Sequence, residues 1–168
     1  MKSRGRMGKG CFLMITYKKA CSVELEIVLK MRRECCACVF GKDESAFDGE
    51  FMRISREYFA NSDQTTVLAF DGERAEAASK AVGCATMCYI TLMPTEEHPT
   101  GKRAHVMNVY TNPNYRRQGI GRKMMEMLID EAKERGVTHI SLDATPDGAK
   151  LYKSLGFKYS NENMEIIL

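Results

Sequence analysis

The apolar positions change their period several times along the chain, and each change predicts an element. Ile15-Thr16-Tyr17 predicts a first strand within residues 14–20. From Cys21 to Phe40 the spacing lengthens. Leu25, Val28 and Leu29 share one stripe with Arg32, which predicts a helix with Ser22 as N-cap and Gly41 as stop. Phe51, Ile54 and Tyr58 form one face of a second helix over 48–60. Thr65 to Asp71 and Ala81 to Leu92 read as paired strands. Asp71-Gly72 is a hairpin turn signal, Glu73 to Ala78 a turn with an extended edge, and Pro94 ends the second strand. Lys102 to Thr111 is the next strand. Ile120, Met124, Met127, Leu128 and Ala132 then predict a helix over 118–135, closed by Gly136, with Lys133 and Arg135 suited to its carboxyl end. His139 to Asp143 is a parallel partner strand and 147–154 a short helix ended by Gly156. Phe157–Tyr159 and Met164–Leu168 read as a final hairpin around Asn161-Glu162-Asn163.

The unit 104–143 is thus a strand–helix–strand crossover, which joins parallel strands. The order of elements predicts an α/β (α+β) class with a mixed sheet. Residues 1–13 are basic and glycine-rich with no structural period, and are expected to be a flexible arm or an over-called start. Residues 14–168 are expected to be one domain, without repeat or linker.

Composition narrows the function. A net charge of +3 is too small to argue for nucleic acid, and the apolar runs are too short to span a bilayer. A basic RNA-binding role for residues 1–10 is a minor alternative. Seven cysteines without a secretory signal suit free thiols in a reducing cytosol, so a cytoplasmic protein is expected. Cys35-Cys36-x-Cys38 invites a metal, but no histidine follows at ligand spacing, and no metal is expected. Cys84 and Cys88 lie four apart in a strand, on one face, where packing is the plainer role. His98 sits in the polar loop 94–101 and reads as solvated.

The sharpest chemical signal is Arg116-Arg117-Gln118-Gly119-Ile120-Gly121, between a strand and a helix. Glycines let the backbone come close to a ligand. The first amides of the helix have no intrahelical partner, and the helix dipole and two arginines add positive charge. Such a site suits a phosphate or pyrophosphate. The dinucleotide-binding fingerprint needs a further glycine and a later acid, and the ATP loop needs Gly-Lys-Ser/Thr; neither is present.

The Arg-x-x-Gly-x-Gly run resembles the cofactor motif of the GCN5-related N-acetyltransferases, and Leu151-Tyr152-Lys153-Ser154-Leu155-Gly156-Phe157 resembles that family's Leu-Tyr-x-x-x-Gly-Phe segment. The resemblance spans roughly 14–168 and is sharp over 105–157. It implies a mostly antiparallel sheet with helices on both faces and a V-shaped splay between two central parallel strands near 106–110 and 139–142. Acetyl-CoA, the co-substrate, would lie in that splay. It implies backbone contacts to the pantetheine and thioester at Met107, Asn108, Val109 and Tyr110. Contacts to the pyrophosphate would come from Arg117, Gln118, Gly119, Gly121 and Arg122, next to Arg116. Thr145 stands where many relatives carry an asparagine that touches the cofactor arm. Tyr152 matches a tyrosine near the thiol and is the candidate acid. Many relatives place a glutamate on the strand before the loop, but residues 104–111 contain no acid. Asn108 is a candidate for binding the amine or a water. His105 and Glu57 are further polar candidates, and no base is assigned. Tyr58 and Phe59 would line the acceptor site, or only pack. The resemblance implies direct acetyl transfer to a primary amine of a small molecule or peptide. A noncatalytic acyl-CoA sensor and a protein N-terminal or lysine acetyltransferase remain open. A homodimer is possible by analogy.

Overall fold

The computed structural model describes residues 14–72, 80–160, 164 and 166–168. Its sheet has five strands in the order of the chain: β1 Ile15–Lys19, β2 Gln64–Asp71, β3 Lys80–Thr91, β4 Lys102–Thr111 and β5 His139–Leu142. The first four pair antiparallel, and β5 runs parallel to β4. Four helices cover the sheet: α1 Leu25–Phe40, α2 Glu50–Asn61, α3 Ile120–Glu134 and α4 Ala149–Ser154. This is the mixed, mostly antiparallel sheet that the family resemblance implied.

Alternation along β2 decides which helix goes where. Val67 and Ala69 face α3 and join Met124, Met125 and Leu128 in one core, while Leu68 and Phe70 face α1 and join Val28, Met31 and Cys35 in another. Most of these side chains are fully buried. Burying each of the larger ones contributes about 1.5–3 kcal/mol.

β4 breaks its own alternation. Two steps of β3, from Cys84 to Thr86, stand opposite three steps of β4, from Tyr110 to Met107. The extra residue is a β-bulge, and Asn108 takes a left-handed φ of 57° within it. Before the bulge, Ala104 and Val106 face α3. After it, Val109 packs on the α3 side and Tyr110 joins the α1 core. A single inserted residue has exchanged the faces of the strand's end. Gly83 makes room opposite: a Cβ there would stand 2.9 Å from the Tyr110 carbonyl oxygen.

The β4–β5 ladder runs from Arg103–His139 to Val106–Leu142 and stops. β4 continues to Thr111 without β5 beside it, which is the splay.

Several local expectations are corrected. Ser22 is not an N-cap: it lies in a 3-10 turn, Ser22–Glu24, that precedes α1. Glu24 draws the chain into that turn, because its carboxylate accepts from the Cys21 amide at 2.9 Å and from the Cys21 thiol at 3.0 Å. Gly41 does close α1, with φ 61°. β2 and β3 do pair as a hairpin, with Asp71 opposite Lys80 and 72–79 between them. Glu73 to Ala78 lies outside the described residues, as do residues 1–13 and the turn at 161–163. Phe157–Tyr159 is not a strand, and among the described residues β5 is the sheet edge. Among the described residues, Met164 and Ile166–Leu168 form no strand either, and Tyr159, Met164, Ile166, Ile167 and Leu168 are exposed.

Candidate active site

Two cavities open on either side of the bulge. The larger, about 740 Å³, is a groove where the β4–β5 ladder has ended. Val109, Tyr110 and Thr111 form one wall. The start of α3 with Arg116, Arg117, Gly119, Gly121 and Arg122 forms the second, and Thr145, Lys150, Leu151 and Tyr152 the third.

The loop into α3 has the geometry of an anion site. Arg117 and Gly119 both take left-handed φ, 66° and 79°. Residues of this kind beside right-handed neighbours turn successive amides toward one concavity. No side chain caps α3 and no acid lies in its first turn, so the dipole's positive end is left free. Arg117 has no carboxylate partner among the described residues, whereas Arg122 pairs with Glu126 at 3.0 Å and donates to the Ser154 hydroxyl at 3.0 Å. Arg116 donates to the Thr111 carbonyl at 3.1 Å and to the Cys38 sulfur at 3.2 Å, which fixes the loop to both β4 and α1. Gly121 packs closely: a Cβ there would meet Leu151 Cδ2 at 3.3 Å. Thr145 lines the groove, and its side chain also accepts from the Gly148 amide at 3.3 Å.

Tyr152 projects from α4 into this groove, its ring edge-on to Phe157 with centroids 6.0 Å apart. Burial raises the pKa of its phenol, and the nearby Cys35 thiol adds to the shift, so the group is a protonated donor at neutral pH. Burial also pushes the Tyr110 phenol up to about 12, with Glu34 adding to the effect.

The smaller cavity, about 310 Å³, is built by side chains from α1, α2, β3 and β4. Arg32, Phe51, Ile54, Ser55, Tyr58, Phe59, Thr86, Cys88, Met107 and Asn108 line it. Asn108 donates weakly to the Cys84 sulfur at 3.5 Å, and its Oδ1 is buried without a partner. An unmatched buried amide oxygen costs about 1–3 kcal/mol until a donor arrives.

Most of the residues expected at the site therefore gather, but into two cavities. Val109, Tyr110, Arg116, Arg117, Gly119, Gly121, Arg122, Thr145 and Tyr152 line the groove. Met107 and Asn108 line the smaller pocket, because they precede the flip that the bulge imposes on β4. Gln118 is exposed and its side chain lines neither cavity. Tyr58 and Phe59 do line the smaller one. Glu57 does not: its carboxylate lies on the exposed face of α2, bonded to Arg53. His105 is bonded to Ser141 at 2.8 Å, away from both cavities. Two charged residues of α1 were not singled out for function. Glu34 has its carboxyl pKa raised by burial and lies close enough to affect the Tyr110 phenol. Arg32 was placed on the apolar stripe, and a charge on such a stripe was the available signal.

Among the described residues, no group of three or more histidine, cysteine or acidic side chains could hold a metal ion, and no helix is long and apolar enough to cross a membrane.

Comparison with known proteins agrees with this geometry. A predicted acetyltransferase from Clostridium acetobutylicum, solved with acetyl-CoA, superposes with a TM-score of 0.77 at 27% identity, over 92% of this chain and 96% of that one. A GCN5-related N-acetyltransferase from Ralstonia eutropha JMP134 gives 0.73 at 25% identity, over 92% and 99%. A curated relative, the ribosomal protein bS18-alanine N-acetyltransferase of Escherichia coli K12, is 44% identical over 57 residues; that match spans 32% of this chain and 38% of the relative. The sequence model of the acetyltransferase (GNAT) family matches residues 29–157, more than three quarters of the chain, and the protein belongs to that family.

Proposed function

We propose that the protein is an acetyl-CoA-dependent N-acetyltransferase that moves an acetyl group to a primary amine of a small molecule or peptide by direct attack. The observation that carries this reading is the uncapped start of α3, facing the gap where the β4–β5 ladder ends, with Tyr152 on the opposite wall. Family membership and the acetyl-CoA bound by the Clostridium relative support the same reading.

In this reading the cofactor supplies a thioester whose carbonyl carbon is attacked by the amine. The amides of Arg117 to Arg122 hold the pyrophosphate, with the charges of Arg116 and Arg117 beside it. The backbone of Val109 and Tyr110, free of β5, bonds the pantetheine arm and leads the thioester to the bulge. Asn108 accepts a hydrogen bond from the incoming amine and so turns its lone pair toward the carbonyl. Tyr152 donates to the departing thiolate. The residues around the smaller pocket include no carboxylate and no imidazole. The acceptor's proton therefore leaves to water. A plot of log kcat/KM against pH should rise with unit slope up to the acceptor's own pKa. A plateau starting near pH 5–7 would reveal a protein base and overturn this step.

A second reading, a noncatalytic acyl-CoA sensor, is favoured by that same lack of a base. Thiol release from acetyl-CoA, screened against amines, amino acids, polyamines, aminoglycosides and peptides, separates the two. Turnover with any of them supports the enzyme. Tight acetyl-CoA binding without any turnover supports the sensor. Titration calorimetry should show acetyl-CoA and CoA binding far more tightly than NAD or ATP, and equal binding of NAD would sink both readings.

A further inference from the structure

We propose that Arg32 anchors an anionic group of the acceptor, so that the substrate is a small amine carrying both an apolar side chain and a carboxylate or similar anion. This rests on the acetyltransferase reading above. The pocket of about 310 Å³ is at the lower end of small-molecule sites, which run roughly from 300 to 1,000 Å³, and suits a molecule of amino-acid size. Its walls are mostly apolar: Phe51, Ile54, Phe59 and Met107, with the ring of Tyr58. Within that lining Arg32 carries the one charged group.

A guanidinium in such a place is normally matched by a carboxylate. Arg33, its neighbour on α1, is matched: it pairs with Asp48 at 2.6 Å. Arg32 has no acidic partner among the described residues. It is held instead over the ring of Phe51, 5.3 Å from the centroid, which keeps the charge in place without neutralising it. Its field crosses the cavity. Burial pushes the Cys88 thiol up, and a hydrogen bond with Tyr58 and then the charge of Arg32 pull it partly back. An arginine also presents several parallel donors, which suit a carboxylate's two oxygens.

The other polar feature of the lining complements this. Asn108 Oδ1 is buried without a donor, at the end of the pocket formed by the β4 bulge. A bound acceptor would place its amine near Asn108, its anion at Arg32 and its apolar part on Phe51 and Ile54. The same pocket is ill suited to polycations, because Arg32 repels a second ammonium and no carboxylate receives one.

The test compares acceptors with and without the anion, L-phenylalanine against L-phenylalaninamide and L-leucine against L-leucinamide, with spermidine as a polycation. Every rate and affinity is expressed per neutral amine, because the amide's α-amine is the more acidic. Two readouts are taken in the wild-type protein and in Arg32→Gln and Arg32→Lys: kcat/KM with saturating acetyl-CoA, and binding in the presence of CoA by calorimetry. Wild type should favour each acid over its amide by about tenfold or more. Arg32→Gln should abolish the preference while CoA affinity stays unchanged, and Arg32→Lys should retain part of it. Equal binding of acid and amide by the wild type overturns the proposal, as does preferred spermidine. Because the acid–amide comparison is made in the wild type, it does not depend on how a variant folds. A binding preference without any turnover would sustain Arg32's role and sink the catalytic reading instead.

Discussion

The two cavities are made from different materials. The groove is formed largely by backbone: a glycine loop, the free start of a helix and the unpaired end of a strand. The pocket is formed by side chains drawn from four elements that lie far apart in the chain. A backbone site leaves a local record, since a run of six residues carries its glycines and charges together. A side-chain site leaves none, because Arg32, Phe51, Cys88 and Asn108 become neighbours only through the packing of α1 and α2 on β3 and β4. In the proposed reading the backbone site holds the acetyl donor and the side-chain site chooses the acceptor.

Four substitutions would break or sharpen that contrast. The largest effect is expected from Tyr152→Phe, which removes one hydroxyl from the groove. Turnover should fall by about 10²–10⁴ if the phenol is the acid and chemistry limits the rate, with acetyl-CoA affinity and Tm little changed. Wild-type turnover would exclude Tyr152 from the chemistry, and joint loss of activity and stability would mark it as structural.

Gly121→Val comes next. Its Cβ would press on Leu151 at 3.3 Å and its methyls would fill space beside the loop. Acetyl-CoA affinity should drop at least about tenfold, or 1.4 kcal/mol. Tm should fall as well, because the contact joins α3 to α4. An unchanged acetyl-CoA KM in the folded variant would remove the loop from cofactor binding.

Phe51→Ala should act on the pocket alone. It removes an apolar wall and the ring beneath Arg32. The acceptor KM should rise about tenfold, consistent with roughly 1.5–3 kcal/mol for a fully buried apolar side chain, of which a ligand recovers part. The acetyl-CoA KM should not move, and a parallel rise in both would show that the cavities are not independent.

The smallest effect belongs to a region remote from both. Glu24 is held at a pKa of about 2, against an ordinary 4.5, by bonds from the Cys21 thiol, from Lys18 and from the Cys21 amide. A depressed carboxyl pKa gives stability that is present above the unfolded value and is lost as pH falls through the folded one. The urea midpoint of the wild type should therefore decline between about pH 4.5 and pH 2. Glu24→Gln should flatten that decline and leave both KM values alone.

The strands, α1 to α3 and the glycine loop were legible because each has its own period or its own punctuation. Met124, Leu128 and Ala132 announce α3, and Gly119 its start. The bulge was not legible. His105 to Thr111 was read as one unbroken strand, and nothing in those residues shows that β3 supplies one residue fewer, or that Gly83 leaves room for the displaced carbonyl. The side chains of Met107 and Asn108 line the smaller pocket, where Asn108 was a candidate for binding the amine or a water, while their backbone was expected beside the cofactor. The turn before α1 escaped notice because a glutamate two residues after Ser22 competes for the Cys21 amide. Phe157–Tyr159 was expected as one arm of a final hairpin and is not a strand; the turn of that hairpin lies outside the described residues.

The end of the β4–β5 ladder also sets the rhythm at which the sheet breathes. Up to Val106, β4 is bonded on both edges, and its amides can be exposed only by opening the sheet. Beyond Val106 it has no β5 beside it, and Met107, Tyr110 and Thr111 pair with β3 alone. Amides on the open edge should exchange with deuterated solvent in the folded state, many orders of magnitude sooner than those of Ala104 and Val106. A thioester arm lying along that edge would act as the missing strand. Adding CoA should therefore slow exchange at this handful of positions and leave the rest of the sheet untouched.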